Sequence, residues 1–253
     1  MNPYLIIIIV ILAGEYLLNL TVERLNVRYA REELPKEFAG FYDAEKYKKS
    51  QRYLVDNTNF ALFKEGFFTA FLVIFILLGG FNFIDLFARS FNLLPLPTGL
   101  IFAGVLLIGY DILSIPFSAY RTFVIEARYG FNKTTLRTFV SDNIKGLLLS
   151  AIIAGVAFAA ILWFFEISKN AWLWSWLVVN LFQLILIYIA PVVIMPLFNK
   201  FIPLEEGELK KEIEDYARKQ NFKIKGIFKM DASKRSSKSN AFFTGFGKFR
   251  RIA

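Results

Sequence analysis

The chain contains no cysteine and no histidine. The first absence removes any disulfide framework, thiol nucleophile or thiolate metal site. The second removes the commonest metal ligand and the usual general base. Chemistry carried by these residues alone would fall to carboxylates, Lys, Ser and Tyr. Charge is also scarce relative to apolar content: 20% of the residues are charged, against 56% hydrophobic and 17% aromatic over 253 residues, with a mean hydropathy of +0.46. That balance is too apolar for a soluble domain of ordinary composition and indicates a polytopic membrane protein. The net charge of +9 does not indicate nucleic acid, because the basic residues fall in blocks between apolar runs and form no continuous face. Anionic lipid headgroups are their expected neighbours.

A hydrocarbon core about 30 Å thick takes roughly 20 apolar helical residues to cross. Five runs qualify, at about 3–20, 60–83, 98–117, 147–166 and 172–198. The first lacks the basic flank and cleavage site of a secretory signal and is expected to be retained. Trp163, Trp172, Trp174 and Trp176 flank the turn between the last two runs, as an interfacial aromatic belt does. Lys and Arg number eight in 21–59, five in 118–146 and fourteen in 199–253, against one each in 81–97 and 167–171. The positive-inside rule then predicts an external N-terminus and a cytoplasmic C-terminus. Beyond Asn199 the composition turns polar. The segment 203–222 has Leu209, Ile213, Tyr216 and Ala217 on one helical face. "KIKGIFKMD" reads as a strand, and "NAFFTGFGKFRRI" as two strands around a Gly-containing turn. The expected fold is an all-α polytopic bundle of five transmembrane helices (residues 1–200), followed by the start of a cytoplasmic α+β domain (201–253).

Several polar groupings invite a catalytic reading and have plainer ones. Tyr110-Asp111 has no second membrane aspartate with which to form a dyad, so Asp111 reads as a polar residue facing the bundle interior. Glu15 and Asn19, one turn apart, read as interhelical hydrogen-bonding groups or as lining a watery interior. Ser141 and Lys145 share a helix face, but at the mouth of a span the lysine snorkels rather than acting as a base. "EEGELK" (205–210) opens a solvated helix. "GFGKF" has no following helix to make it a phosphate loop. Asn132 or Thr134 is the expected N-cap of the helix leading into the fourth span.

Three blocks carry a resemblance: "PFSAYRTFVIEARYGFNKTTLRTFVSDNIKG" (116–146), "PLFNKFIPLEEGELKKEIEDYA" (196–217) and "DASKRSSKSNAFFTGFGKFRRI" (231–252). In order and spacing they resemble the integral-membrane zinc metalloproteases typified by the type I CAAX prenyl protease. The resemblance implies an N-terminal portion of such an enzyme, ending before its His-Glu-x-x-His helix. On that reading the chain has no catalytic or metal-ligating residue and no cofactor of its own, and zinc belongs to the full-length parent. It implies a membrane chamber whose wall these helices supply, a peptide or protein substrate, and a bacterial inner membrane in preference to the endoplasmic reticulum. Asn240, Ala241, Phe242 and Phe243 are the substrate-binding edge that the resemblance implies; the residues alone fit equally a hairpin whose core holds both phenylalanines. Within the matching blocks, Lys238 stands where the family usually has a histidine that is not a ligand. Ala127-Arg128-Tyr129 replaces a more acidic, often histidine-bearing stretch. The competing expectation is a non-enzymatic scaffold or transporter subunit of the same ancestry.

Overall fold

A computed structural model describes residues 2–245 and 250–253. Five helices are long and apolar enough to cross a membrane: Pro3–Tyr29, Ala44–Leu77, Pro95–Glu126, Leu136–Ile167 and Ala171–Phe198. We label the regular α-helices α1 (Pro3–Tyr29), α2 (Ala44–Leu77), α3 (Gly80–Arg89), α4 (Pro95–Tyr120), α5 (Leu136–Ile167), α6 (Ala171–Ile189), α7 (Met195–Phe198) and α8 (Glu208–Lys219). No residue of α1 is buried, and large aliphatic side chains stand outward along every long helix. Such a surface is stable in hydrocarbon, where a helix satisfies its own backbone and lipid covers the side chains.

The chain divides into two compact units, residues 1–94 with 101–132, and residues 95–100 with 133–253. In the first, Asp43 caps α2 by accepting from the backbone N–H groups of Glu45 (2.9 Å) and Lys46 (3.1 Å). The apolar run read as 60–83 does not stay one helix. Gly79 takes a left-handed conformation (φ 73°) that ends α2, and the chain restarts as α3. Gly80 is required next to it, because a Cβ there would lie 2.3 Å from the Phe75 ring. Composition alone does not show this break, because both glycines are flanked by apolar residues that suit a membrane helix equally well. α4 passes into a π-helical stretch, Arg121–Glu126, and ends at Gly130 (φ 76°). There Phe131 N–H donates to Glu126 C=O (2.8 Å) and Gly130 N–H to Ala127 C=O (3.0 Å), closing the orphan carbonyls.

In the second unit α5 and α6 form a hairpin across a three-residue turn, with Phe164 and Trp174 stacked at 5.7 Å. The N-cap of α5 is Thr135, which accepts from Thr138 N–H at 3.2 Å. The expected caps serve elsewhere, since the Thr134 hydroxyl donates to the Arg235 carbonyl (3.1 Å) and Asn132 precedes the helix by four residues. α6 loosens into a π-helical stretch at Ala190–Ile194, where Pro191 supplies no N–H. The sheet has strands β1 (Lys200–Pro203), β2 (Gly226–Asp231), β3 (Phe243–Thr244) and β4 (Arg251–Ile252), ordered β1-β2-β4-β3. β1 is antiparallel to β2, β4 parallel to β2, and β3 antiparallel to β4. The turn expected between β3 and β4, with its "GFGKF", falls largely at 246–249, outside the described residues. On α8 the sheltered seam is Lys210, Ile213, Glu214 and Ala217, while Leu209 and Tyr216 are exposed. The sheltered face is therefore offset from the expected one: among the described residues no element covers Leu209 or Tyr216.

Candidate functional site

Among the described residues strand β3 is an edge, with β4 on one side. Phe242 and Ala253 exchange both backbone hydrogen bonds at 2.9 Å, and Phe243 then faces Ile252. In an antiparallel ladder such exchanging pairs alternate with non-bonded pairs. The N–H and C=O of Phe242 and Thr244 therefore point to β4, and those of Ala241 and Phe243 point to the open edge. The four residues picked out by the sequence thus lie together on one edge. Ala241 N–H is met by the Asn240 carboxamide oxygen at 2.9 Å. Phe242 is half-buried. Phe243 is 64% exposed, its ring edge-on to Phe222 at 5.4 Å, and Arg250 lies over Phe222 at 4.5 Å.

The loop leading into this edge is fastened by Arg235. Its guanidinium makes a two-pronged contact with Asp142 on α5 (2.7 and 2.8 Å) and a third hydrogen bond to Asn199 Oδ1 (3.0 Å). Its carbonyl accepts from Lys133 N–H (3.0 Å) as well as from Thr134. One side chain thus ties together the three sequence blocks quoted above. The Asp142 hydrogen bonds hold the Arg235 guanidinium firmly in its charged form. Ninety-three residues separate the pair, and no local periodicity points to it.

In the first unit, Asp56 accepts from Arg128 (2.8 Å) and from the Tyr129 hydroxyl (2.8 Å). Burial, reinforced by that bond, pushes the Tyr129 phenol above its ordinary pKa. Tyr53 donates to Glu126 and packs edge-on against Tyr129 (5.1 Å) and Phe131 (5.0 Å). The stretch Ala127-Arg128-Tyr129 is thus engaged in structural contacts. Between α1, α2 and α4 lies a cavity of about 660 Å³ lined by Asn19, Glu23, Asn57, Lys64, Glu65 and Arg121 among others. Asn19 spans from α1 to donate to Glu65 on α2 (2.5 Å), the interhelical bond expected of it. Tyr110 lines the same cavity, with its ring 5.1 Å from Phe68.

The remaining groupings stay structural. Lys145 donates to the Leu197 carbonyl (3.4 Å), and Glu206 pairs with Lys210 at the start of α8. Among the described residues there is no cluster of three Asp, Glu, His or Cys able to hold a metal ion.

The family model for the CAAX prenyl protease N-terminal region, five membrane helices, matches residues 23–200, and that for peptidase family M48 matches residues 203–253. The probable CAAX prenyl protease 1 of Schizosaccharomyces pombe is 38% identical over 261 residues, covering 96% of this chain and 54% of the relative. The CAAX prenyl protease 1 homolog of Arabidopsis thaliana is 39% identical over 235 residues, covering 87% and 54%. The crystal structure of S. mikatae Ste24p matches all of this chain and 61% of its own, with a TM-score of 0.88 and 32% identity. The chain spans about half the length of the curated relatives it matches. Five apolar helices followed by a small sheet, in the order those relatives have them, place the chain in the CAAX prenyl protease family of integral-membrane M48 peptidases.

Proposed function

We propose that this chain supplies the membrane-chamber wall and one side of the substrate groove of a CAAX-prenyl-protease-like zinc metalloendopeptidase. Residues 1–200 form the membrane domain, and 201–253 open the peptidase domain. The observation that carries the groove is the open edge of β3, where the N–H and C=O of Phe243 and the C=O of Ala241 face away from β4 and can pair with an extended peptide. Asn240, beside them, orients the Ala241 amide and contacts the substrate backbone. The substrate is thus a peptide bound as an added strand, and zinc and its ligands belong to the protein at the length of its relatives. A non-enzymatic scaffold or transporter role has no observation in its favour. In the enzyme extended to that length, Asn240→Ala is expected to lower peptide kcat/KM about 10-fold, the worth of one hydrogen bond of about 1.4 kcal/mol. Zinc content and melting temperature are expected to stay at wild-type values. Wild-type turnover, or a joint fall of turnover and stability, overturns the groove assignment.

The same reading places the N-terminus outside and the C-terminus in the cytoplasm, because the 27 Lys and Arg of 21–59, 118–146 and 199–253 all fall on one side of five spans. Reporter fusions at the two termini are expected to report opposite sides, with the N-terminal one external. The charge rule applies equally to a bacterial inner membrane and to the endoplasmic reticulum. The relatives quoted above are eukaryotic and lend the bacterial choice no support.

A further inference from the structure

The cavity between α1, α2 and α4 lies at one membrane face. The apolar run of α1 ends at Leu20 and that of α4 at Phe117, while that of α2 begins at Phe60. At a rise of about 1.5 Å per residue, Glu23 and Arg121 stand roughly 5 Å beyond those boundaries and Lys64 and Glu65 roughly 6 Å within. All four line one space of about 660 Å³, inside the range of roughly 300–1,000 Å³ typical of small-molecule sites. Two are cations and two are anions, yet among the described residues none of the four is in a salt bridge. Lys64 and Glu65 are half-buried neighbours on a helix, a spacing at which side chains diverge. Lys64 Nζ lies over the Phe68 ring at 5.7 Å, and among the described residues the partner of Glu65 is the neutral amide of Asn19. Ionisable groups at this depth are costly without a counter-charge, and such residues mark binding sites.

We propose that this cavity binds the headgroup of an amine-bearing zwitterionic phospholipid, of the phosphatidylethanolamine class. The phosphodiester is taken by Lys64 and Arg121, and the primary ammonium by Glu23 and Glu65. Glu65 keeps free acceptor positions after receiving the Asn19 bond. A purely anionic headgroup would leave both carboxylates facing its phosphate without a cation. A choline headgroup offers no N–H to donate. Phe60 and Phe117 complete the wall, an apolar surface continuous with the lipid-facing helices. The cavity's lining belongs to the first compact unit and strand β3 to the second, so the proposal does not rest on the groove assignment.

The chain, purified in detergent and supplied in turn with phosphatidylethanolamine, phosphatidylglycerol, phosphatidylcholine and soluble glycerophosphoethanolamine, tests this by native mass spectrometry. Retention of phosphatidylethanolamine at least five-fold above the other three is expected, and Lys64→Gln or Glu65→Gln should abolish that preference while leaving helical content by circular dichroism unchanged. Equal or greater retention of phosphatidylglycerol overturns the proposal in the wild-type chain alone, whatever the variants do. So does occupancy by the soluble headgroup without its acyl chains, or a preference unaltered in well-folded variants.

Discussion

Replacing Arg235 by Met is expected to destabilise the chain by about 3 kcal/mol, near the cost of breaking a sheltered ion pair by removing one partner. The side chains of Arg235 and Asp142 are only 25% and 22% exposed, so solvent does not screen the contact as it does a surface pair. The methionine retains much of the packing volume and loses three hydrogen bonds at once. What dominates the loss is the Asp142 carboxylate left among protein atoms without its cation. Asp142→Asn alone keeps an acceptor for the guanidinium and should cost less, about 2 kcal/mol. Because both changes break the same contact, the double variant is expected to melt well above the temperature that adding the two losses predicts. Thermal unfolding in detergent of the four proteins decides the matter. Additive losses would mean that the two side chains act independently and that the fork has no coupling as a pair.

The membrane half of this fold was legible because hydrocarbon imposes one rule on every residue of a span. Runs such as 147–166 and 172–198 lie within α5 and the α6–α7 stretch, with the aromatic belt at the turn. Features decided by a single backbone angle or a distant partner were not legible. The end of α2 depends on the positive φ of Gly79, which a membrane helix containing glycine does not require. β1 was missed because "KFIP" is short and contains a proline; it becomes a strand only through its register with Lys229 and Met230 on β2. The cap of α5 fell one residue beyond the two candidates because Thr134 is drawn to Arg235. The candidate edge is partly readable in the sequence as a strand. The alternation in Asn240-Ala241-Phe242-Phe243 already separates two faces, and the structure adds which of them carries backbone groups away from β4.

That last point permits a sharper test of the groove than loss of a side chain. Phe243→Pro removes the one N–H of the described strand that points away from β4, and it leaves the exchange between Phe242 and Ala253 in place. Proline is tolerated on edge strands when its nitrogen faces outward, and its preference for an extended preceding residue suits Phe242. The β3–β4 pairing should therefore survive. A peptide strand arriving at this edge would meet the pyrrolidine ring where it needs a donor, and one of its carbonyls would go unpaired at a cost of about 1–3 kcal/mol. In the enzyme extended to the length of its relatives, kcat/KM for an extended peptide is expected to fall about 10- to 100-fold. Phe243→Ala separates the two roles of this residue, because it discards the ring packed on Phe222 and keeps the N–H. Both variants lose that ring and are expected to melt lower by a similar amount, but the alanine variant should lose turnover only a few-fold while the proline variant, which also lacks the N–H, loses far more. If the alanine variant loses as much activity as the proline variant, the ring and not the backbone makes the contact, and β3 is no strand template for the substrate.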